Sequence, residues 1–151
     1  MYRGYMESPI GLIEVTATDT ELVSVLFVDK KQQSLENEII HHFLHEIDAY
    51  FKGDLKQFSI PPLKGTAFQS GVWNELIHIP YGNRVSYSEI AQRIQKQKAV
   101  RAVGTAIGKN KLALIVPCHR VVGKNGALSG FAWGSWRKEW LLEHEKNHSQ
   151  K

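Results

Sequence analysis

In "LALIVPCHRVVGKNGALSGF", residues 112 to 131, the only cysteine of the chain, Cys118, stands between Pro117 and the pair His119-Arg120. A thiol attacks as the thiolate, and cationic or basic neighbours lower its pKa towards that form. Histidine assistance is the recurrent arrangement in thiol chemistry. The competing description is a small buried apolar thiol, which is how most lone cysteines behave. His119 and Arg120 argue for a reactive cysteine, because both would be costly to bury without partners. Spacing tests two familiar thiol chemistries. A cysteine phosphatase needs an arginine six positions beyond its nucleophile, where this chain has Lys124. A Cys-His hydrolase takes its base from a distant part of the sequence, because neighbouring side chains of an extended segment point to opposite faces. His119 is therefore expected to reach Cys118 through a water or a bent loop, with a carboxylate orienting the imidazole. "GSWRKEWLLEHEK" offers Glu139, Glu143 and Glu145 for that task.

The elements that hold this segment are legible in outline. Leu112 to Val116 is predicted to be a buried strand that Pro117 stops, delivering Cys118 to a mouth. Upstream, "TAFQSGVWNELIHIP" has Thr66 as N-cap and Phe68, Val72 and Leu76 on one face, with Pro80 closing the helix. "SYSEIAQRI" starts at Ser86 or Ser88 in a cap position, and "AVRAVGTAIG" aligns Val100, Val103 and Ile107. Two short helices with a tight connection form a helix-turn-helix candidate, a pattern equally common in plain cores. The first sixty residues read differently. Strand runs around 2–7, 11–18 and 21–28, broken at Ser8-Pro9, Gly11 and Asp19, predict an antiparallel meander. A helix follows, carrying Ile39, Ile40, Phe43, Leu44, Ile47 and Tyr50 on one face and ending at Gly53. Pro61-Pro62 marks the boundary, so the prediction is an α+β protein. Residues 1–61 form a small antiparallel sheet with a helix across it, and residues 62–151 form a mainly helical lobe.

Charge follows the same division. Residues 1–61 hold five Lys/Arg against ten Asp/Glu, a net −5, whereas residues 62–151 hold fourteen against five, a net +9. Such a segment attracts a polyanion through phosphate contacts and counterion release, and a solvated basic surface is the alternative. At 151 residues and 42% hydrophobic content the chain can bury one core or two small ones. A leader or a membrane span is not expected, and a single cysteine cannot form an internal disulfide; both suit a cytoplasmic protein. His41, His42 and His45 lie on the first-lobe helix. With no cysteine nearby to complete four ligands, they are read as a solvated face rather than a zinc site.

The segments "GTAFQSGVWNELIHIPYGNRVSYSEIAQRI", "AVRAVGTAIGKN", "LIVPCHRVVGKNGALSGF" and "KEWLLEHE" resemble, in order and spacing, the O6-alkylguanine-DNA alkyltransferases (methylated-DNA–protein-cysteine methyltransferases). The resemblance spans residues 63 to 146, and the first lobe matches in general form through its "SPIGLIEV" hairpin. It implies a ribonuclease H-like first lobe and a winged-helix-like helix-turn-helix in the second. It implies a monomer acting without cofactor or metal on double-stranded DNA that carries O6-alkylguanine, with O4-alkylthymine as a further candidate substrate. In that family the thiolate at the Cys118 position displaces guanine O6 from the alkyl carbon, keeps the group as a thioether and is not regenerated. The histidine matching His119 takes the thiol proton through a water, the glutamate matching Glu145 orients it, and the tyrosine matching Tyr87 donates to guanine N3. The arginine matching Arg101 enters the base stack as the damaged nucleotide flips out, and the small residues Ala102, Gly104 and Ala106 let the helix approach the minor groove. The asparagine matching Asn110 ties the helix pair to the active-site loop. Backbone groups at Cys118, Val121 and Ala132 are expected to hold the guanine edge.

The chain departs from many bacterial relatives at Ile107, Lys111, Phe131 and Trp133, where asparagine, proline, tyrosine and glycine are common. These changes would alter pocket shape rather than the reaction. Cys118 also sets the chain apart from the alkyltransferase-like proteins, which have tryptophan there. A competing description is a helix-turn-helix regulator that uses Cys118 as an alkylation or redox sensor. A regulator usually needs a dimer surface or an added domain, for which 151 residues leave little room.

Overall fold

The structure is a computed structural model that describes residues 1–128 and 130–149. The chain divides into two compact units, Met1–Pro62 with Lys111–Ile115, and Leu63–Asn110 with Val116 onward.

In the first unit, strands β1 (Tyr2–Ser8), β2 (Gly11–Ala17) and β3 (Leu22–Val28) form an antiparallel meander in the order β1-β2-β3. Apolar residues alternate along β2, so Ile13, Val15 and Ala17 are fully enclosed. The intervening Glu14 takes a hydrogen bond from the Tyr5 hydroxyl at 2.7 Å and lies 3.5 Å from Arg3 Nε. Helix α1 (Glu38–Phe51) covers the sheet. Asn37 caps it by accepting from the Ile40 amide, and Ile40, Phe43, Ile47 and Tyr50 form its buried stripe. Both sheet edges are closed by single bridges, Arg3 with Leu35 and Val25 with Leu112.

The second of these bridges corrects the expected strand over Leu112–Val116. The Val25 amide donates to Lys111 O and the Ala113 amide to Val25 O, after which the segment turns. The Ile115 amide donates to Ala113 O across Leu114, whose φ is +72°, the strained hand of the γ-turn. Three residues on, the Cys118 amide donates to Val116 O across Pro117 at φ −79°, ψ 64°, the relaxed hand. The run is buried as expected, but an apolar run does not distinguish a strand from a buried double turn.

The second unit is mainly helical. Helix α2 (Ala67–Ile77) begins at a capping box in which Thr66 accepts from the Gln69 amide and the Gln69 side chain accepts from the Thr66 amide. Strand β4 (Val85–Ser86) leads into helix α3 (Tyr87–Arg93), capped by Ser86, and helix α4 (Val100–Gly108) completes the pair. Strand β5 (Val121–Val122) runs parallel to β4, and helix α5 (Ser135–His148) closes the unit. Val72, Leu76, Ile90, Val103 and Leu141 are enclosed in its core, and Trp73 Nε1 donates to Ala106 O at 2.9 Å. Among the described residues no helix is long and apolar enough to cross a membrane.

Candidate active site

Pro117 cannot continue a strand, and its γ-turn feeds a single 3-10 turn, Cys118–Arg120, closed by the Arg120 amide donating to Pro117 O at 3.0 Å. The turn changes the sequence argument about neighbours. On a tight turn three successive side chains fan out instead of alternating, and Cys118, His119 and Arg120 are all buried. The register Val85 with Val121 and Ser86 with Val122 ties this turn to the start of α3, where Tyr87 is the first helical residue. Asn110, just beyond α4, donates from Nδ2 to Val116 O at 3.0 Å and to Cys118 Sγ at 3.3 Å.

One side of the turn is an ionic network. His119 Nε2 and Glu145 Oε2 are 2.6 Å apart. Arg120 grips the same carboxylate twice, from Nε to Oε1 at 2.8 Å and from Nη2 to Oε2 at 3.0 Å, and donates from Nη1 to Ile79 O at 2.7 Å. The Gly82 amide adds a donor to Oε1 at 3.2 Å. Gly82 has φ +84°, and a Cβ there would come within 2.8 Å of Ser149 Cβ, so glycine is required on both counts. Burial pushes the Glu145 carboxyl up, but His119 and Arg120 outweigh it and hold the group well below the usual carboxylate range. A carboxylate only accepts hydrogen bonds, so Nε2 of His119 is the protonated ring nitrogen. Burial, with help from Arg120 and Lys138, lowers the His119 pKa despite Glu145. The imidazole is therefore neutral at pH 7, and its Nδ1 is buried with no hydrogen-bond partner among the described residues.

The thiol itself is 4% exposed, and burial pushes it up to about 11. The Asn110 hydrogen bond, the charge of Lys138 and the Cys118 and His119 amides oppose that rise. Lys138 is fully buried, with Nζ 5.7 Å from the Tyr87 ring centroid and 6.0 Å from that of Phe131, and burial lowers it to about 8. Sequence reasoning missed this lysine, although it shares a helical face with Leu141, Leu142 and Glu145 at i+3, i+4 and i+7. It also assigned Arg120 to the thiol, whereas the guanidinium charge is taken up by Glu145. Of the three glutamates offered by α5, Glu145 is buried, and Glu139 and Glu143 are exposed.

A groove of about 580 Å³ opens beside the thiol's neighbours, lined by Tyr87, Arg101, Gly104, Thr105, Lys124 and Gly130 among others. Burial raises the Tyr87 pKa, with a further push from Cys118, so its hydroxyl is kept protonated. Gly130, at φ +85°, lets the backbone pass the Tyr87 hydroxyl, which a Cβ would meet at 2.8 Å. Arg101 and Ala102 are exposed on α4, and Gly104 faces the Tyr87 ring. Ala106, expected with them on the groove face, is instead buried with its carbonyl on Trp73, because it lies on the inner stripe with Val103 and Ile107. Val121 is buried in β5 and Ala132 is exposed. Phe131 and Trp133 pack edge to face at 5.4 Å. No group of three metal-ligating side chains occurs among the described residues; His41 bonds Glu36, and His42 bonds Ser59.

Comparison with known proteins finds the same two parts. Residues 1–64 match the family 6-O-methylguanine DNA methyltransferase, ribonuclease-like domain, and residues 67–147 match 6-O-methylguanine DNA methyltransferase, DNA binding domain. A methylated-DNA–protein-cysteine methyltransferase of Methanosarcina acetivorans is 44% identical over 96% of this chain and 98% of its own. One from Mycolicibacterium paratuberculosis is 41% identical over 95% and 92%. Among solved structures, the Mycobacterium tuberculosis O6-methylguanine methyltransferase matches with a TM-score of 0.88 at 37% identity, covering 97% of this chain and 93% of that one. A Mycobacterium tuberculosis OGT in complex with DNA matches at 0.89 and 38%, covering 98% and 94%.

Proposed function

This chain belongs to the 6-O-methylguanine DNA methyltransferase family, and from that premise we propose that it repairs O6-alkylguanine in double-stranded DNA by moving the alkyl group irreversibly to Cys118. The observation that carries the proposal is the buried Cys118 beside a neutral, carboxylate-oriented His119, within a unit of strongly basic sequence. The thiol proton leaves for His119, and the sulfur–carbon bond forms as the carbon–O6 bond breaks. The electron pair of the broken bond moves into the purine, which takes up one proton in exchange. Tyr87 serves the purine through a hydrogen bond to N3, and a tyrosine kept protonated by burial suits that donation. The product thioether does not hydrolyse, so each molecule acts once.

Arg101, Ala102 and Gly104 on α4 are assigned to the DNA, Arg101 filling the stack left by the flipped nucleotide. Asn110 steadies the thiol, and backbone groups at Val121 and Ala132 receive the base. Residues 62–151 would bind DNA and transfer the group, and residues 1–61 would support the fold of a cytoplasmic monomer. The regulator description is not favoured, since relatives named for methyl transfer match over nearly their whole length. Incubation with a duplex containing O6-methylguanine should add a single methyl group to Cys118, seen by peptide mass spectrometry, as the lesion disappears. No adduct, or an adduct on another residue, would defeat the proposal. Cys118→Ala should bind the duplex and transfer nothing.

A further inference from the structure

Glu145 is hydrogen-bonded by two basic side chains of successive residues, and the transfer chemistry above employs one of them. We propose that Arg120 is a positioning residue for that chemistry. Its guanidinium locks Glu145 to accept the hydrogen bond of His119 Nε2–H, and its charge keeps the ring uncharged, so that Nδ1 is the atom that takes the proton of Cys118. The inference rests on the transfer reading for its purpose, but the state it assigns to His119 exists without substrate.

Geometry carries the first half. Arg120 meets both carboxylate oxygens in a fork that fixes the plane of Glu145, and the Gly82 amide supports Oε1. The fork itself cannot swing, because Nη1 is anchored to Ile79 O and the guanidinium lies 5.6 Å from the Tyr81 ring centroid. Glu145 Oε2 thus stays 2.6 Å from Nε2, and His119 has one ring nitrogen left to accept a proton.

Electrostatics carries the second half. A buried carboxylate alone beside an imidazole favours the imidazolium, and a base that already holds its proton cannot take another. The Arg120 charge cancels that of Glu145 and opposes protonation of His119, in the same direction as burial and as the Lys138 charge from α5, which stays in place in every variant tested below. Arginine suits the place because it never deprotonates and its planar fork matches a carboxylate, whereas lysine supplies a point charge. The motif thus has a division of labour, in which the nucleophile, its base and the keeper of that base are consecutive residues.

The test is nitrogen-resolved NMR of the His119 ring across pH, without DNA, in the wild type, Arg120→Gln and Arg120→Lys. In the wild type the ring should be the neutral Nε2–H tautomer at pH 7; an Nδ1–H tautomer or an imidazolium would overturn the proposal with no variant needed. Arg120→Gln should raise the midpoint of the ring titration by about one pH unit or more, the scale of a nearby like charge. An unmoved midpoint would overturn it. Arg120→Lys, which keeps the charge, should restore most of the shift, and a lysine variant titrating like the glutamine variant would count against it. If the glutamine variant does not fold, the wild-type tautomer still decides, and a lysine midpoint about one pH unit or more above that of the wild type would count against the proposal. Single-turnover transfer from O6-methylguanine DNA should show its acid limb moving upward by the same amount. A wild type that transfers nothing would sink the functional proposal while the ring titration still decides this one.

Discussion

Within the first unit the fully enclosed side chains include Ile13, Val15, Ala17, Val25, Ile40 and Ile47, and Glu14 is the buried carboxylate, retaining 7% exposure beside Tyr5 and Arg3. Within the second, His119, Lys138 and Glu145 are enclosed as completely as any of those aliphatics. Apolar burial is worth roughly 25 cal/mol per Å², so the first unit converts nearly everything it hides into stability. Burying charge returns little, because desolvation consumes most of what pairing provides. The second unit thus gives up stability to hold reactive groups in fixed protonation states, and it does so in two ways. Glu145 and Arg120 neutralise each other beside an uncharged His119, while Lys138 is set against aromatic rings where burial weakens its hold on a proton.

The largest expected effect breaks the neutralised side. Glu145→Ala should cost about 3–5 kcal/mol in urea unfolding, because Arg120 is left buried without its partner. Acid should imitate this change. The lowered His119 binds its proton less readily folded than unfolded, so stability falls as pH drops through the unfolded value of 6.5. Ionised Glu145 adds a second loss as pH falls through its unfolded value of 4.5. A stability profile flat from pH 7 to pH 5 would contradict the first loss, and one flat below pH 4.5 the second. In the first unit, Ile47→Ala should cost a comparable amount, about 2–5 kcal/mol, yet leave the transfer rate per folded molecule unchanged. A large loss of rate there would blur the distinction between the units.

Lys138→Met sharpens the comparison through its sign. Between pH 8 and 10.5 the unfolded lysine is protonated and the folded one is not, so wild-type stability should rise with pH across the first part of that window. From pH 9 the raised Cys118 works the other way, since the unfolded thiol ionises before the folded one. The variant should lose the rise near pH 8 to 9 and be no less stable than wild type at pH 7. Its transfer at pH 7 should slow by about tenfold, as expected for one pKa unit of thiolate stabilisation removed. The smallest effect tests a local device: Asn37→Ala should cost about 0.5–2 kcal/mol by removing the α1 cap, with transfer again unaffected.

Features set by neighbouring residues were legible in the sequence. Thr66 caps where its side chain predicts, the structure chooses Ser86 over Ser88, and the stripe Ile40, Phe43, Ile47 and Tyr50 follows from helical spacing, with Ile39 and Leu44 half-buried at its margins. What escaped depends on distant partners. Arg120 looked like a neighbour of the thiol because its partner, Glu145, lies 25 residues away. Ala106 looked available because smallness says nothing of which face of α4 turns inward. Lys138 was within reach, since a lysine in register with Leu141, Leu142 and Glu145 must be buried with them.

Leu114 shows how narrow the choice of residue can become. At φ +72° its backbone favours glycine, while its side chain, 2% exposed, fills space that glycine would leave empty. Gln95 and Asn125 have nearly the same φ, at 60° and 59°, but are not buried, so glycine there relieves the backbone without opening a cavity. In a saturation library, positions 95 and 125 should accept glycine and asparagine readily. Position 114 should accept almost nothing, because no residue satisfies both of its demands and leucine is already the compromise.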